Sequence, residues 1–394
     1  MSEDPRSIVR RSTPPVSVST PVVTPLQPSV VYASTDPDEL DAQYEGRVRG
    51  FTYAREGHPN ATVLAGKLAW LEGVDDSWGA GVVTGSGMGA IGAVLLGLLA
   101  RGDHVVGGDQ LYGRSHRLLS DDLRRLGFET TLADPTDAAG IEHAIRPDTK
   151  LILVETVSNP TLRVADIDGI AAVAARSGVS VVVDNTFTTP RALRPFEHGA
   201  DIVVHSVTKM LAGHSDVTLG YAVANSTGTN AAIREAAVTW GFTPSPFDCW
   251  LAERGLHTFE LRYDRAESTA RQLADELAFL PGVEAILYPG RADHPDQARA
   301  MSLFGGRGGT MVGLRLDGGR DRANRFIRAA SPIQFAPTLG DVSTLLSHPA
   351  SSSHRGLTEA ARSALGITEG FIRISVGLED PDLLISELSR AVRA

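Results

Sequence analysis

The chain has 394 residues, about two to three domain-lengths, and its 42% hydrophobic content is enough to bury large cores. A formal net charge of −10 leaves no basic footprint for nucleic acid or an anionic membrane surface. The single cysteine, Cys249, rules out intrachain disulfides and thiolate zinc clusters and fits a reducing compartment. The longest apolar run, residues 90–100, is too short to cross a bilayer and stops at Arg101. Pro14, Pro15, Pro21 and Pro25 interrupt any signal-peptide core, so a soluble cytoplasmic protein is expected.

In chain order, residues 1–50 are rich in Pro, Ser and Thr, with an acidic patch over residues 36–41. This composition predicts an extended arm that cannot form its own core and is suited to drape over a neighbouring subunit. A helical pattern begins near Thr62 and ends at Gly73. From about residue 80 to 225, short apolar runs alternate with helical segments. Strands are expected at 81–84, 104–107, 151–155, 179–184, 201–206 and 218–223, and helices at 89–100, 114–126, 138–145 and 167–177. The alternation predicts an α/β fold with a mainly parallel sheet covered on both faces, whose ligands bind at the carboxyl ends of the strands. Glu155, Asp184 and residues 206–209 fall at those ends. After a Pro-rich connector at 243–246, a long helix is expected over 248–280. A smaller α/β unit then follows, with strands at 309–316 and 371–376 and a closing helix at 381–393. The expected division is an arm over 1–55, a large domain over 56–250 and a small domain over 251–394.

Lys209 ends an apolar run inside Ser206-Val-Thr-Lys209 and is one of only three lysines, with Lys67 and Lys150. Arg cannot replace Lys where an amine must lose its proton and form a Schiff base with an aldehyde. Asp184 closes the apolar strand Val181-Val-Val-Asp184. A carboxylate there needs a permanent positive partner or hydrogen bonds to stay ionised, and a protonated pyridine nitrogen is such a partner. Asp on the ring nitrogen with Lys on the aldehyde is the arrangement that makes pyridoxal phosphate (PLP) an electron sink. Gly87-Met-Gly89-Ala-Ile-Gly92 follows a strand and opens a helix, so its backbone N–H groups suit a phosphate. The same glycines, with Asp109 downstream, also match a dinucleotide fingerprint, which leaves an NAD-dependent dehydrogenase as an alternative. Ser206 and Thr208 would add hydroxyls to the phosphate. His58, His214, His294, His348 and His354 lack ligand spacing, so no metal is expected, and Cys249 reads as a packing residue.

With these residues in place the chain resembles the Cys/Met-metabolism group of PLP enzymes. That group comprises cystathionine γ-synthase, cystathionine γ- and β-lyases, methionine γ-lyase and the O-acylhomoserine sulfhydrylases. The resemblance runs from about residue 20 to the C-terminus. Its carriers are Tyr53-Ala-Arg55, Ser86-Gly-Met-Gly-Ala-Ile91, Leu111-Tyr-Gly113, Glu155-Thr-Val-Ser-Asn-Pro160, Val183-Asp-Asn-Thr186, His205-Ser-Val-Thr-Lys209, Gly213-His-Ser-Asp216 and Ile372-Arg-Ile-Ser-Val-Gly377. It implies the aspartate-aminotransferase-like fold with a seven-stranded type of sheet. Lys209 would then carry PLP and shuttle protons, and Asp184 would hold the pyridine nitrogen protonated. Gly87, Met88, Ser206 and Thr208 would grip the phosphate, joined by Tyr53 and Arg55 from a partner subunit. Tyr112 would stack on the ring and help activate the substrate. Asn159 would bond the phenolic oxygen, and Arg373, assisted by Thr338, would clamp the substrate carboxylate. The implied assembly is a homotetramer of catalytic dimers.

Three departures bear on the reaction. His58-Pro-Asn60 stands where the family usually has Asn-Pro-Thr, Arg114 where methionine γ-lyases carry Cys, and Pro337 where members acting on cystathionine carry Glu before Ser-Leu-Gly. The C-terminal segments at 340–345, 348–351 and 366–370 resemble the methionine-lyase and sulfhydrylase branches. The expected activity is a carbon–sulfur lyase of sulfur amino acids giving a 2-oxo acid, ammonia and a thiol, with a γ-replacement transferase as the alternative.

Overall fold

The structure is a computed structural model that describes residues 17–394. The first 16 residues of the expected arm lie outside the described residues. Seven strands form the larger sheet: β1 (Val82–Thr84), β2 (His104–Gly108), β3 (Glu129–Ala133), β4 (Thr149–Glu155), β5 (Ser180–Asp184), β6 (Ile202–His205) and β7 (Gly220–Ala224). They lie in the order β1-β7-β6-β5-β4-β2-β3. Strands β2 to β6 pair in parallel, and only β7 runs antiparallel to its neighbours β6 and β1. The sheet is the expected mainly parallel one, with β3 as an additional edge strand. β3 has one exposed, one buried and three half-buried residues and the sequence Glu-Thr-Thr-Leu-Ala, so it has no continuous apolar run for sequence reading to find.

Alternation along the strands decides which side chains reach the site. Leu151, Leu153, Val182, Ile202 and Val204 bury against the helices Gly87–Leu98 and Thr227–Thr239. Ile152, Val154, Val181 and Val183 bury against the helices Ala138–Ala144 and Ile167–Ser177 on the other face. By the two-residue period, Glu155, Asp184 and Ser206 continue the first set and emerge beside the start of helix Gly87–Leu98.

The second sheet contains β8 (Val283–Leu287), β9 (Met311–Leu316), β10 (Gln334–Phe335), β11 (Leu345–Ser347) and β12 (Phe371–Ser375), in the order β10-β11-β12-β9-β8. Its core takes Leu273 and Leu277, Phe326, and Leu384 and Leu388 from three covering helices. The long helix expected over 248–280 is in fact two, Pro246–Leu256 and Phe259–Leu277. At the break the buried Arg262 donates to the carbonyls of Gly255, Met210 and Leu211. The second helix puts Phe259 and Tyr263 into the core around Lys209's loop and its C-terminal half into the second sheet's core. The segment expected as one helix over 114–126 is helical over 113–125 and carries a π-type turn at Leu118–Asp122.

The arm departs from a purely extended chain. Asp36 accepts from Glu39 N at 2.9 Å and caps the helix Pro37–Tyr44, so the acidic patch is a helix start. Upstream, Pro25 and Gln27 are held by Asn60, and Thr24 by Glu253 and Trp250, all within the same chain.

Candidate active site

A cavity of about 230 Å³ opens where the carboxyl ends of β4, β5 and β6 meet the start of helix Gly87–Leu98. Of the expected residues, Gly87, Met88, Tyr112, Asn159, Asp184, Ser206, Thr208, Lys209, Thr338 and Arg373 all line it. Tyr53 and Arg55 do not. They lie together on the arm side, with the Arg55 guanidinium 5.6 Å from the Tyr53 ring centroid and both side chains exposed.

The helix start is built for an anion. Ser86 is the N-cap and spends its hydroxyl on Gly89 N at 3.0 Å. Helix geometry leaves the N–H groups of Gly87 and Met88 without intrahelical partners. A Cβ on Gly87 would lie 2.7 Å from Ser206 Cβ, so only glycine allows the helix to reach the β6 loop. Thr208 Oγ1 accepts from Leu219 N and donates to Leu219 O, fixing that loop.

Asp184 sits at the floor. Its Oδ1 accepts from Thr186 N at 3.0 Å and from Thr186 Oγ1 at 2.5 Å, and the same hydroxyl accepts from Ser206 N. Burial raises the Asp184 carboxyl above its ordinary range, while Thr186 and His205 pull it back. Lys209 Nζ donates to Thr338 Oγ1 at 2.9 Å. Burial, then the charge of Arg373, pushes the Lys209 amine down to about 8. Arg373 on β12 is buried, with Nη1 on Asn159 Oδ1 at 2.7 Å and Nη2 on Thr338 O at 2.9 Å. Its Nε is buried without a partner. The structure thus ties Asn159 and Thr338 to Arg373 and Lys209 as well as placing them at the cavity wall.

Sequence reading gave no role to Glu155, Thr186, Phe187 or Ser352 and Ser353, which also line the cavity. Glu155 was visible as a strand end, but nothing in its pattern separates a cavity carboxyl from a buried one. Cys249 is fully buried and its thiol is pushed up to about 12 by burial, which fits a packing residue.

The sequence profile described as "Cys/Met metabolism PLP-dependent enzyme" matches residues 8–393. The chain belongs to the Cys/Met metabolism PLP-dependent enzymes. Among relatives, the cystathionine gamma-lyase of Bacillus subtilis (strain 168) is 39% identical over 347 residues, covering 88% of this chain and 90% of the relative. The L-methionine gamma-lyase of Pseudomonas putida is 39% identical over 358 residues, covering 90% and 88%. Among solved structures, cystathionine gamma synthase from Xanthomonas oryzae pv. oryzae in complex with cystathionine superposes with a TM-score of 0.88 at 35% identity, covering 94% of this chain and 93% of that one. Membership makes PLP the cofactor of this PLP enzyme and resolves the glycine motif against a dinucleotide. Asp109, the acid that the dinucleotide reading required, is not among the residues lining the cavity.

The donor set fits that cofactor. One cavity offers free helix N–H groups and the Ser206 hydroxyl for a phosphate, with the Thr208 hydroxyl beside them turned to Leu219, a half-buried carboxyl for a pyridinium, and a lysine amine with lowered proton affinity for an aldehyde.

Proposed function

We propose that the protein is a carbon–sulfur lyase that eliminates the γ-substituent of a sulfur amino acid. A thioether amino acid and water would give a thiol, a 2-oxo acid and ammonia. The observation that carries this reading is the Lys209 amine, bonded to Thr338 inside a cavity that Asp184 and Arg373 also line. PLP, when bound, supplies an electron-withdrawing ring that stabilises negative charge at the substrate carbons. Gly87, Met88, Ser206 and Thr208 would hold its phosphate, Asp184 would keep a proton on its ring nitrogen, and Asn159 would bond its phenolic oxygen. The free Nζ of Lys209 would take the proton from the substrate Cα and return protons along the chain as the thiolate leaves. Arg373 would orient the substrate by its carboxylate, aided by Thr338. Tyr112 would cover the ring and exclude water.

Pro337, Leu339, Val157 and Phe187 are among the residues lining the cavity, and no acid stands at 337 to meet a second amino group. That lining favours a thioether with an uncharged distal end, as in methionine, over cystathionine. The second reading is a γ-replacement transferase, supported by the close superposition on a cystathionine gamma synthase. Tyr53 and Arg55 lie outside their own chain's cavity, which supports a catalytic dimer in which each completes the partner's phosphate site, assembled as a homotetramer. A cytoplasmic location is inferred from the composition, with one buried cysteine.

The test offers the purified protein L-methionine, L-cystathionine and O-acetylhomoserine, each with and without an added thiol. Release of 2-oxobutanoate from a thioether alone is expected. Thioether formation only from acyl-homoserine plus thiol would overturn the lyase in favour of the transferase.

A further inference from the structure

Glu155 ends β4 in register with Asp184 at the end of β5. Register partners in neighbouring parallel strands present side chains on the same face, and both carboxyls line the cavity. Two ionised carboxylates so placed repel each other, and one proton between them removes the conflict. The two are not equally equipped to stay charged. Asp184 accepts two bonds from Thr186. Glu155 is 8% exposed; its Oε1 accepts from Tyr112 N at 2.6 Å and its Oε2 is buried with no partner. Burial first, and Asp184 second, push the Glu155 carboxyl well above the ordinary carboxylate range, outweighing the backbone N–H groups of Tyr112 and Asn159, which pull it down.

We propose that Glu155 is a positioning residue that acts as an uncharged carboxylic acid, holding the backbone of Tyr112 at the cavity while leaving Asp184 as the single negative charge available to the cofactor's ring nitrogen. The turn it holds has little room elsewhere. A Cβ on Gly113 would lie 1.9 Å from Ser353 O, so the turn is caught between Glu155 and the 352–353 loop. The proposal rests on the reading above that gives Asp184 the cofactor's ring nitrogen, and not on whether elimination or replacement follows.

A neutral side chain of the same length should therefore do the same work. The experiment measures the dissociation constant of PLP from the apo forms of the parent, Glu155→Gln and Glu155→Ala, then kcat and KM for whichever substrate is turned over. Glu155→Gln is expected to bind PLP within about twofold of the parent and to keep kcat. Glu155→Ala is expected to bind PLP about five- to tenfold more weakly, the size of one lost buried hydrogen bond, and to lose kcat more than it raises KM. Glu155→Gln as weak as Glu155→Ala would overturn the proposal, because the charge would then be required. Parent-like behaviour of Glu155→Ala would overturn it also. Should the alanine variant not fold, parent-like PLP binding by Glu155→Gln still supports the proposal and lost binding still defeats it. Because PLP binding is read without substrate, failure of the lyase reading leaves this result legible.

Discussion

Lys209 and Arg373 share one small space, and each alters the other's chemistry. Burial and the Arg373 charge lower the Lys209 amine to about 8, so the free amine becomes the major form as pH rises through about 8 and not near the ordinary lysine value. The rate at which apo-protein captures PLP should accordingly rise with a midpoint near pH 8. Arg373→Met should move that midpoint upward by removing a like charge, and a midpoint near 10 in the parent would contradict this account. Arg373→Ala should also raise the substrate KM by roughly 10- to 100-fold through loss of a charge-assisted pair, with an unchanged KM removing it from the carboxylate site. The anchors were legible at this scale because their chemistry is residue-specific: only Lys forms the Schiff base, and Asp184 closes an apolar strand. Glu155 was not, since its meaning lies in its register with Asp184 and its bond to Tyr112 N, which are properties of paired strands.

At the scale of elements, the departures from the family pattern acquire physical reasons. His58 caps the helix Pro59–Glu72 by accepting from Ala61 N through Nδ1, the job an Asn side chain does, while Nε2 meets Pro244 O. His58→Ala should cost about 1 kcal/mol in stability, measurable by denaturant unfolding of the holoprotein, and His58→Asn should recover much of it. A second element-level constraint is the loop carrying Thr338. Gly340 has φ +82°, and a Cβ there would lie 2.5 Å from Met210 N. Gly340→Ala should lower Tm and weaken PLP binding, because Thr338 must shift from Lys209. An alanine variant with parent-like Tm and PLP affinity would sink that argument. The sheet's inner strands were readable as apolar runs. The edge strand β3, the short β10 and β11, and the break at residues 257–258 were not: β3 is partly buried, β10 and β11 are only two and three residues long, and a tertiary contact from Arg262 decides the break.

For the whole molecule, the two sheets meet across the active site: β4, β5 and β6 bring Glu155, Asp184 and the Lys209 loop, while β12 brings Arg373. Such a junction joins residues more than a hundred positions apart and cannot be read from local pattern. The proposed dimer makes a quantitative prediction. Lys209→Ala and Arg55→Ala are each expected to be inactive. Mixed one to one and reassembled, they should regain about a quarter of the parent activity, since half the dimers are mixed and each mixed dimer has one intact site. No recovery in verified heterodimers would place Arg55 outside the partner's site.

The most direct test of the central claim is where the cofactor attaches. The holoprotein should be reduced with borohydride, digested, and the phosphopyridoxyl group located by mass spectrometry among Lys67, Lys150 and Lys209, the three lysines of the chain. The account predicts one label per chain, on Lys209, with bleaching of the visible band and loss of turnover. A label on Lys67 or Lys150, or full labelling of a Lys209→Ala variant, would contradict it.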